Sequence, residues 1–142
     1  MKHTRHLAGV LIAATLLAGC GGTVVRTLPL PAEATAHDAT GVKLYFGAQA
    51  HPAVKTAIGS RSESVRVTRG TGAEQPTCDQ ALAEALGRLR MYAKNHGGNA
   101  VVNVTTRFHE QHSDSVARYT CGVSPSAGSL AVAGDVVVLD AR

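Results

Sequence analysis

The apolar positions change period at Gly97-Gly98. Before that pair, Leu82, Ala85, Leu86, Leu89, Tyr92 and Ala93 recur three and four apart and share one face, with Glu84, Arg88, Lys94 and Asn95 opposite. The spacing predicts a helix over Cys78–His96, about 28 Å long at 1.5 Å per residue. Thr77 with Gln80 forms a capping box at its start, and Gly97 offers the left-handed residue that ends it. After the pair, Asn99–Thr106 is rich in β-branched residues and reads as a strand, with Val102 and Val104 on one face and Val101 and Asn103 on the other. A helix followed directly by such a strand folds back on it, because neither buries its apolar face alone.

The same reading predicts strands at Val42–Phe46 and Ser64–Thr68, with a short helical turn over Ala53–Ile58 before Gly59. Ser129–Leu139 is the last strand, with Leu130, Val132, Val136 and Val138 on one face and Ala131, Ala133, Val137 and Leu139 on the other. Apolar residues on both faces mark a central strand or one covered by another subunit, which makes a homo-oligomer one expectation. The fold expected is α+β: a small, mostly antiparallel β-β-α-β-β sheet with one long helix on one face.

The N-terminus has a different character. Lys2 and Arg5 precede an apolar run from Leu7 to Leu17 and then small residues, the pattern of a secretory signal too short to span a bilayer permanently. Leu17-Ala-Gly-Cys20 closely resembles the lipobox of bacterial lipoproteins, whose cysteine is lipidated and becomes the first mature residue. The resemblance implies a signal peptide over residues 1–19, a lipid on Cys20 and a membrane as partner. Gly21 in place of Asp implies an outer-membrane destination. Residues 20–41, with Pro29 and Pro31, read as a tether reaching on the order of 60 Å if extended. Residues 42–142 are then the single domain.

Removal of Lys2 and Arg5 leaves 12 basic and 10 acidic residues. That balance, with no basic run or aromatic stripe, gives no reason to expect nucleic acid as a partner. Aromatic content is 4% and Trp is absent, so the core must be Val, Leu and Ala, a light core that benefits from a covalent staple.

Cys78 and Cys121 remain after Cys20 is set aside. An even pair in an oxidising compartment reads as a disulfide. The alternative is a reactive or metal-binding cysteine, which no C-x-x-C spacing accompanies. The bridge closes a 44-residue loop, for which chain entropy gives roughly 4 kcal/mol. It also demands that Cys121 lie at the start of the helix, since bridged Cα atoms are only about 4.4–6.8 Å apart. Arg107–Ala127 is therefore expected as an excursion at that end, with a small hairpin around Ser113-Asp114. Ser129–Leu139 then pairs antiparallel with Asn99–Thr106.

The helix with Ala81, Leu82 and Leu89, the stop Gly97-Gly-Asn-Ala-Val-Val102, the closing Gly128-Ser-Leu-Ala-Val-Ala-Gly134 and the lipobox together resemble the RcsF-like family of Gram-negative lipoproteins, with a YbjQ-like core domain. The resemblance implies a disulfide-held module that monitors the envelope through contacts with barrel-assembly and signalling proteins. Cys78 and Cys121 match one bridge of that family. Its second bridge and its long proline-rich tether have no counterpart here.

Other chemistry is sparse. His109-Glu-Gln-His112, with Asp114 close by, is the one metal-like cluster, although its spacing is not that of the H-E-x-x-H zinc helix and a solvated loop accounts for it. His51 reads as a turn residue and His96 as a helix-end residue. Gly97-Gly98 follows a helix, whereas anion sites precede one. Neither G-x-x-x-x-G-K-[ST] nor G-x-S-x-G occurs. The expectation is a non-enzymatic, cofactor-free binding or sensing module in the envelope, acting through a protein partner. Weak metal or small-ligand binding at His109, His112 and Asp114, or a structural oligomer, are the alternatives.

Overall fold

The computed structural model describes residues 22–141. The expected signal peptide and Cys20 lie outside them. In chain order the elements are β1 (Val24–Pro29), α1 (Ala32–Thr35), β2 (Lys43–Phe46), β3 (Val54–Thr68), α2 (Glu74–Asn95), β4 (Ala100–Phe108), β5 (Gln111–Ser113), β6 (Arg118–Val123) and β7 (Ala127–Leu139). They form an α+β unit in which one seven-stranded sheet curls around the long helix. The order β1-β6-β7-β4-β2 carries β3 on the free side of β7 and β5 on β4. All pairings are antiparallel except β2 with β4. The expected β-β-α-β-β order is thus too simple.

The centre of the layout follows expectation. β4 and β7 pair antiparallel, Ala100 opposite Val137 and Arg107 opposite Ala131. α2 lays Ala81, Leu82, Ala85, Leu86, Leu89 and Ala93 into a core shared with Val101, Val104, Val132 and Val136. Gly97 takes φ +81° and the Gly98 amide reaches the Ala93 carbonyl at 2.8 Å, closing the helix as its glycines suggest. Gly98 is also a packing requirement, because a Cβ there would lie 2.8 Å from Val136 Cγ1.

The helix begins earlier than its capping pattern indicates. It starts at Glu74 after Ala73, which caps it without a side-chain bond. The box of Thr77 and Gln80 does not form. Thr77 is buried in the first turn and its hydroxyl donates back to the Ala73 carbonyl at 3.2 Å. Pro76 sits inside that turn, where its missing N–H removes no helical bond.

Strand alternation also fails locally. Asn103 has φ +53°, and the β4–β7 register shifts there. This bulge puts Val101 and Val104 together on the helix side, while Ala100 and Val102 join Val137, Leu139 and Tyr45 on the opposite face. The Asn103 amide donates to Asp135 at 2.9 Å, and Ser60 donates to the other Asp135 oxygen at 2.8 Å. On β7, Val138 is only half-buried and lies outside the buried cluster that Leu130, Val132 and Val136 join. β3 is one 15-residue strand. The helical turn expected at Ala53–Ile58 is strand, and Gly59 is a bulge within it.

The largest departure is at the N-terminal end. The stretch read as a tether is part of the sheet. β1 pairs with β6 from Val24 opposite Val123 to Pro29 opposite Arg118. Arg26 pairs with Glu74 at 2.9 Å, Arg118 donates to the Thr27 carbonyl at 2.9 Å, and Leu28 and Leu30 pack on the core. α1 follows, with Ala34 buried. The folded unit therefore runs from Val24 rather than Val42, and a chain beginning at Gly22 carries every described element.

A chain beginning at Gly41 should accordingly melt about 10 °C or more below one beginning at Gly22, because it loses a strand and two anchoring side chains. Equal melting temperatures, followed by circular dichroism, would restore the tether.

Candidate functional site

α2 presents two functional stripes. Its inward face makes the core. A flank of the same helix carries Asp79, Ala83, Leu86 and Arg90 at successive turns, since residues three and four apart lie above one another. Against this flank lies the segment from Pro31 to Asp38. Between them is a groove of about 470 Å³ lined by Pro31, Ala34, Pro76, Leu82 and Leu86, with carboxylates at Glu33 and Asp79. It has the character of a binding cleft, mostly apolar with few polar groups.

Arg90 builds one end of it. The side chain is 7% exposed. One terminal nitrogen donates to the Ala34 and Ala36 carbonyls at 3.2 and 2.8 Å, and the other pairs with Asp38 at 3.5 Å. A buried guanidinium is tolerated because these acceptors replace water, although its Nε is left without a partner. Burial alone would raise the Asp38 carboxyl. Hydrogen bonds from the Thr40 hydroxyl and amide, with the Arg90 charge, outweigh it and hold Asp38 below the ordinary carboxylate range.

Asp79 sits at the other end and accepts a hydrogen bond from the Tyr119 hydroxyl. Burial first, then the bond to Asp79 and its negative charge, push the Tyr119 phenol well above its usual range. Tyr119 is fully buried and carries the largest such side chain in the core. Next to Asp79 in the chain, Cys78 is joined to Cys121, with Cα atoms 6.1 Å apart. The bridge, the phenol and the strand β1 thus converge on the first turns of α2. The expected disulfide is formed, and Cys121 lies at the helix start as that pairing demands.

The metal-like residues are not gathered. β4 and β5 form a hairpin turning at His109-Glu110, rather than around Ser113-Asp114. His112 stands opposite Arg107, whose positive charge is a poor neighbour for a cation. Asp114 lies instead against Gly47, where a Cβ would strike its carbonyl. Among the described residues, no three His, Cys, Asp or Glu side chains form a group able to hold a metal ion. His51 lies in the turn after β2, its ring 5.5 Å from Tyr45. His96 caps α2, bonded to the Tyr92 carbonyl at 2.8 Å.

The open face of the sheet holds a second hollow, of about 350 Å³, whose lining includes Arg66, Arg107, Phe108 and His109 and no carboxylate. Neither the groove nor this hollow is marked by a motif. The groove did leave a signal, since Asp79 and Arg90 are polar residues eleven positions apart on the edge of an apolar helix face.

No family model, curated protein or solved structure matches the chain. Among the described residues no helix is long and apolar enough to cross a membrane.

The Asp38 carboxyl is lowered on folding, so its contribution is present above the ordinary Asp range and lost as pH falls through the folded value. That contribution should therefore fade below about pH 4, and Asp38→Asn should remove it. Arg90→Ala should cost about 2–4 kcal/mol at neutral pH, because buried acceptors lose their donor. For Tyr119 the raised phenol reverses the sign: stability holds below about pH 10 and declines above it. Tyr119→Phe should remove that alkaline decline. Denaturant melts across pH measure all three.

Proposed function

We propose that this chain is a lipid-anchored, non-catalytic binding or sensing module of the bacterial envelope, acting through contact with a protein partner. The observation that carries the reading is the Cys78–Cys121 disulfide in a chain whose third cysteine ends a lipobox. A bridge of this kind belongs to oxidising compartments, and the lipobox, apolar run and basic start describe the route there. Kinship with RcsF-like lipoproteins, with a YbjQ-like core, is part of the proposal. The helix, the two-glycine stop, the strand that follows and the bridge all support it.

The fold changes how such an anchor acts. Cys20 to Val24 is four residues, at most ~14 Å of extended chain, so an acylated Cys20 holds the domain against the bilayer rather than on a long leash. Several acyl chains on one residue satisfy the requirement for stable attachment. Gly21 favours the outer membrane.

The contact surface in this reading is the groove between α1 and α2. Its apolar lining and the carboxylates of Glu33 and Asp79 suit a partner segment that presents an aliphatic side chain beside a hydrogen-bond donor or cation. An oligomer has less support, because Val137 and Leu139 on the second face of β7 are covered within the chain by Tyr45 and their neighbours.

A photo-crosslinking residue at Ala83, exposed on the lip of the groove, tests this in intact cells. The expected result is one discrete adduct with a barrel-assembly or signalling protein, absent when the probe is moved to Lys94. A domain that stays alone at both positions, or an unmodified Cys20 by mass spectrometry, would contradict the proposal.

A further inference from the structure

The hollow on the open sheet face has a composition that its own fold does not explain. Arg66 of β3 lies opposite Ser129 of β7, and Arg107 of β4 lies opposite Ala131. Ser129 and Ala131 are two apart on one strand, so both guanidinium groups stand over the same face. Between them on β7 lie Ser129 and Ala131, with Ser64 opposite Ala131, and the hollow left above measures about 350 Å³. Both arginines are exposed, and neither forms an ion pair among the described residues. Among the described residues the one side-chain hydrogen bond either makes is a long one, Arg66 to the Ser126 hydroxyl at 3.4 Å. They stand on either side of β7 with no acid among the lining residues, and an oxyanion between them would accept hydrogen bonds from both. Phe108, seated over Gly122, walls the hollow with an apolar ring.

The position of the hollow narrows what that anion is. Val25, Gly122, Ser129 and Arg66 form one row across four adjacent strands. At ~4.8 Å per strand the row spans roughly 14 Å. The hollow thus lies roughly 14 Å across the sheet from the strand through which the chain runs toward Cys20, and Val24, a half-exposed apolar residue, lies on that β1 edge.

We propose that Arg66 and Arg107 form a site for the phosphate of an anionic lipid headgroup, which seats the open face of the sheet toward the membrane. The orientation rests on the lipid-anchor reading above, while the phosphate site itself does not. Two guanidinium forks match phosphate oxygens as no pair of lysines does. With the sheet face occupied by lipid, the α1–α2 groove on the far side of α2 is left to the partner.

The test uses the chain from Gly22, which has neither Cys20 nor the apolar leader. It is floated with vesicles of phosphatidylcholine alone, or containing roughly 30% phosphatidylglycerol, at about 0.05 M salt. Anionic vesicles should capture it and neutral ones should not. Arg66→Gln with Arg107→Gln should weaken capture about thirty-fold, two charges being worth about 1 kcal/mol each at such a surface. Lys55→Gln with Lys94→Gln, which removes equal charge elsewhere, should change it far less. Circular dichroism confirms that each variant is folded. Equal loss in both pairs, or equal capture by neutral vesicles, overturns the site. Saturable shifts of the Arg66 and Arg107 side-chain N–H signals with inorganic phosphate, in a chain that ignores anionic vesicles, would assign the site to a soluble phosphate and overturn the headgroup. Because Cys20 is absent throughout, an unacylated Cys20 in cells would defeat the anchor without altering any of these outcomes.

Discussion

The bond between Cys78 and Cys121 is the constraint that the rest of the architecture leans on. It joins the first turns of α2 to the middle of β6, a strand that shares only two residue pairs with β7. Without it β6 would rest on that short ladder, on its contacts with β4 and β5, and on β1, itself an edge strand. With it, β6 becomes a fixed rail. β1 docks on the rail, Tyr119 reaches Asp79 from it, and Thr120 bonds to the buried Thr106 hydroxyl at 2.9 Å. A core with few aromatics gains most from such a staple, because its apolar burial alone leaves a small margin over chain entropy.

From this joint the functional surfaces follow. Fixing β1 fixes the Pro31–Asp38 segment, which Arg90 then clamps from below, and the groove exists only while that segment is held. Fixing β6 and β7 sets the outer face of the sheet, where Arg66 and Arg107 stand. The domain thus has a groove flanking its helix and a cationic hollow on its sheet, on opposite sides. In the proposed lipid-anchored arrangement the hollow faces the membrane and the groove faces away from it.

The sequence made the middle of the fold legible and its edges obscure. α2, the Gly97 stop and the β4–β7 pair announce themselves because their apolar periods are long and one face is fully buried. β1 does not, because Val24–Pro29 is an edge strand with four exposed residues of six, and Pro29 with Pro31 just beyond it suggests a linker. The N-terminal half of β3 is similarly exposed, so no alternation marks it and Gly59 looks like an end. Asn103 was opaque for another reason: one left-handed residue inverts the facing of all that precede it, and only the Asp135 partner 32 positions away accounts for it. The disulfide was readable from cysteine parity and chain geometry. The groove and the hollow required the three-dimensional register, since their residues come from segments far apart in the chain.

Amide hydrogen exchange across Val24–Leu30 probes the central claim most directly. In the oxidised chain from Gly22, the alternate amides of this edge strand that face β6 should exchange slowly, with protection close to that of Arg118–Val123, since the two strands stand or fall together. Exchange at the rate of a free peptide, while β6 and α2 stay protected, would contradict the account.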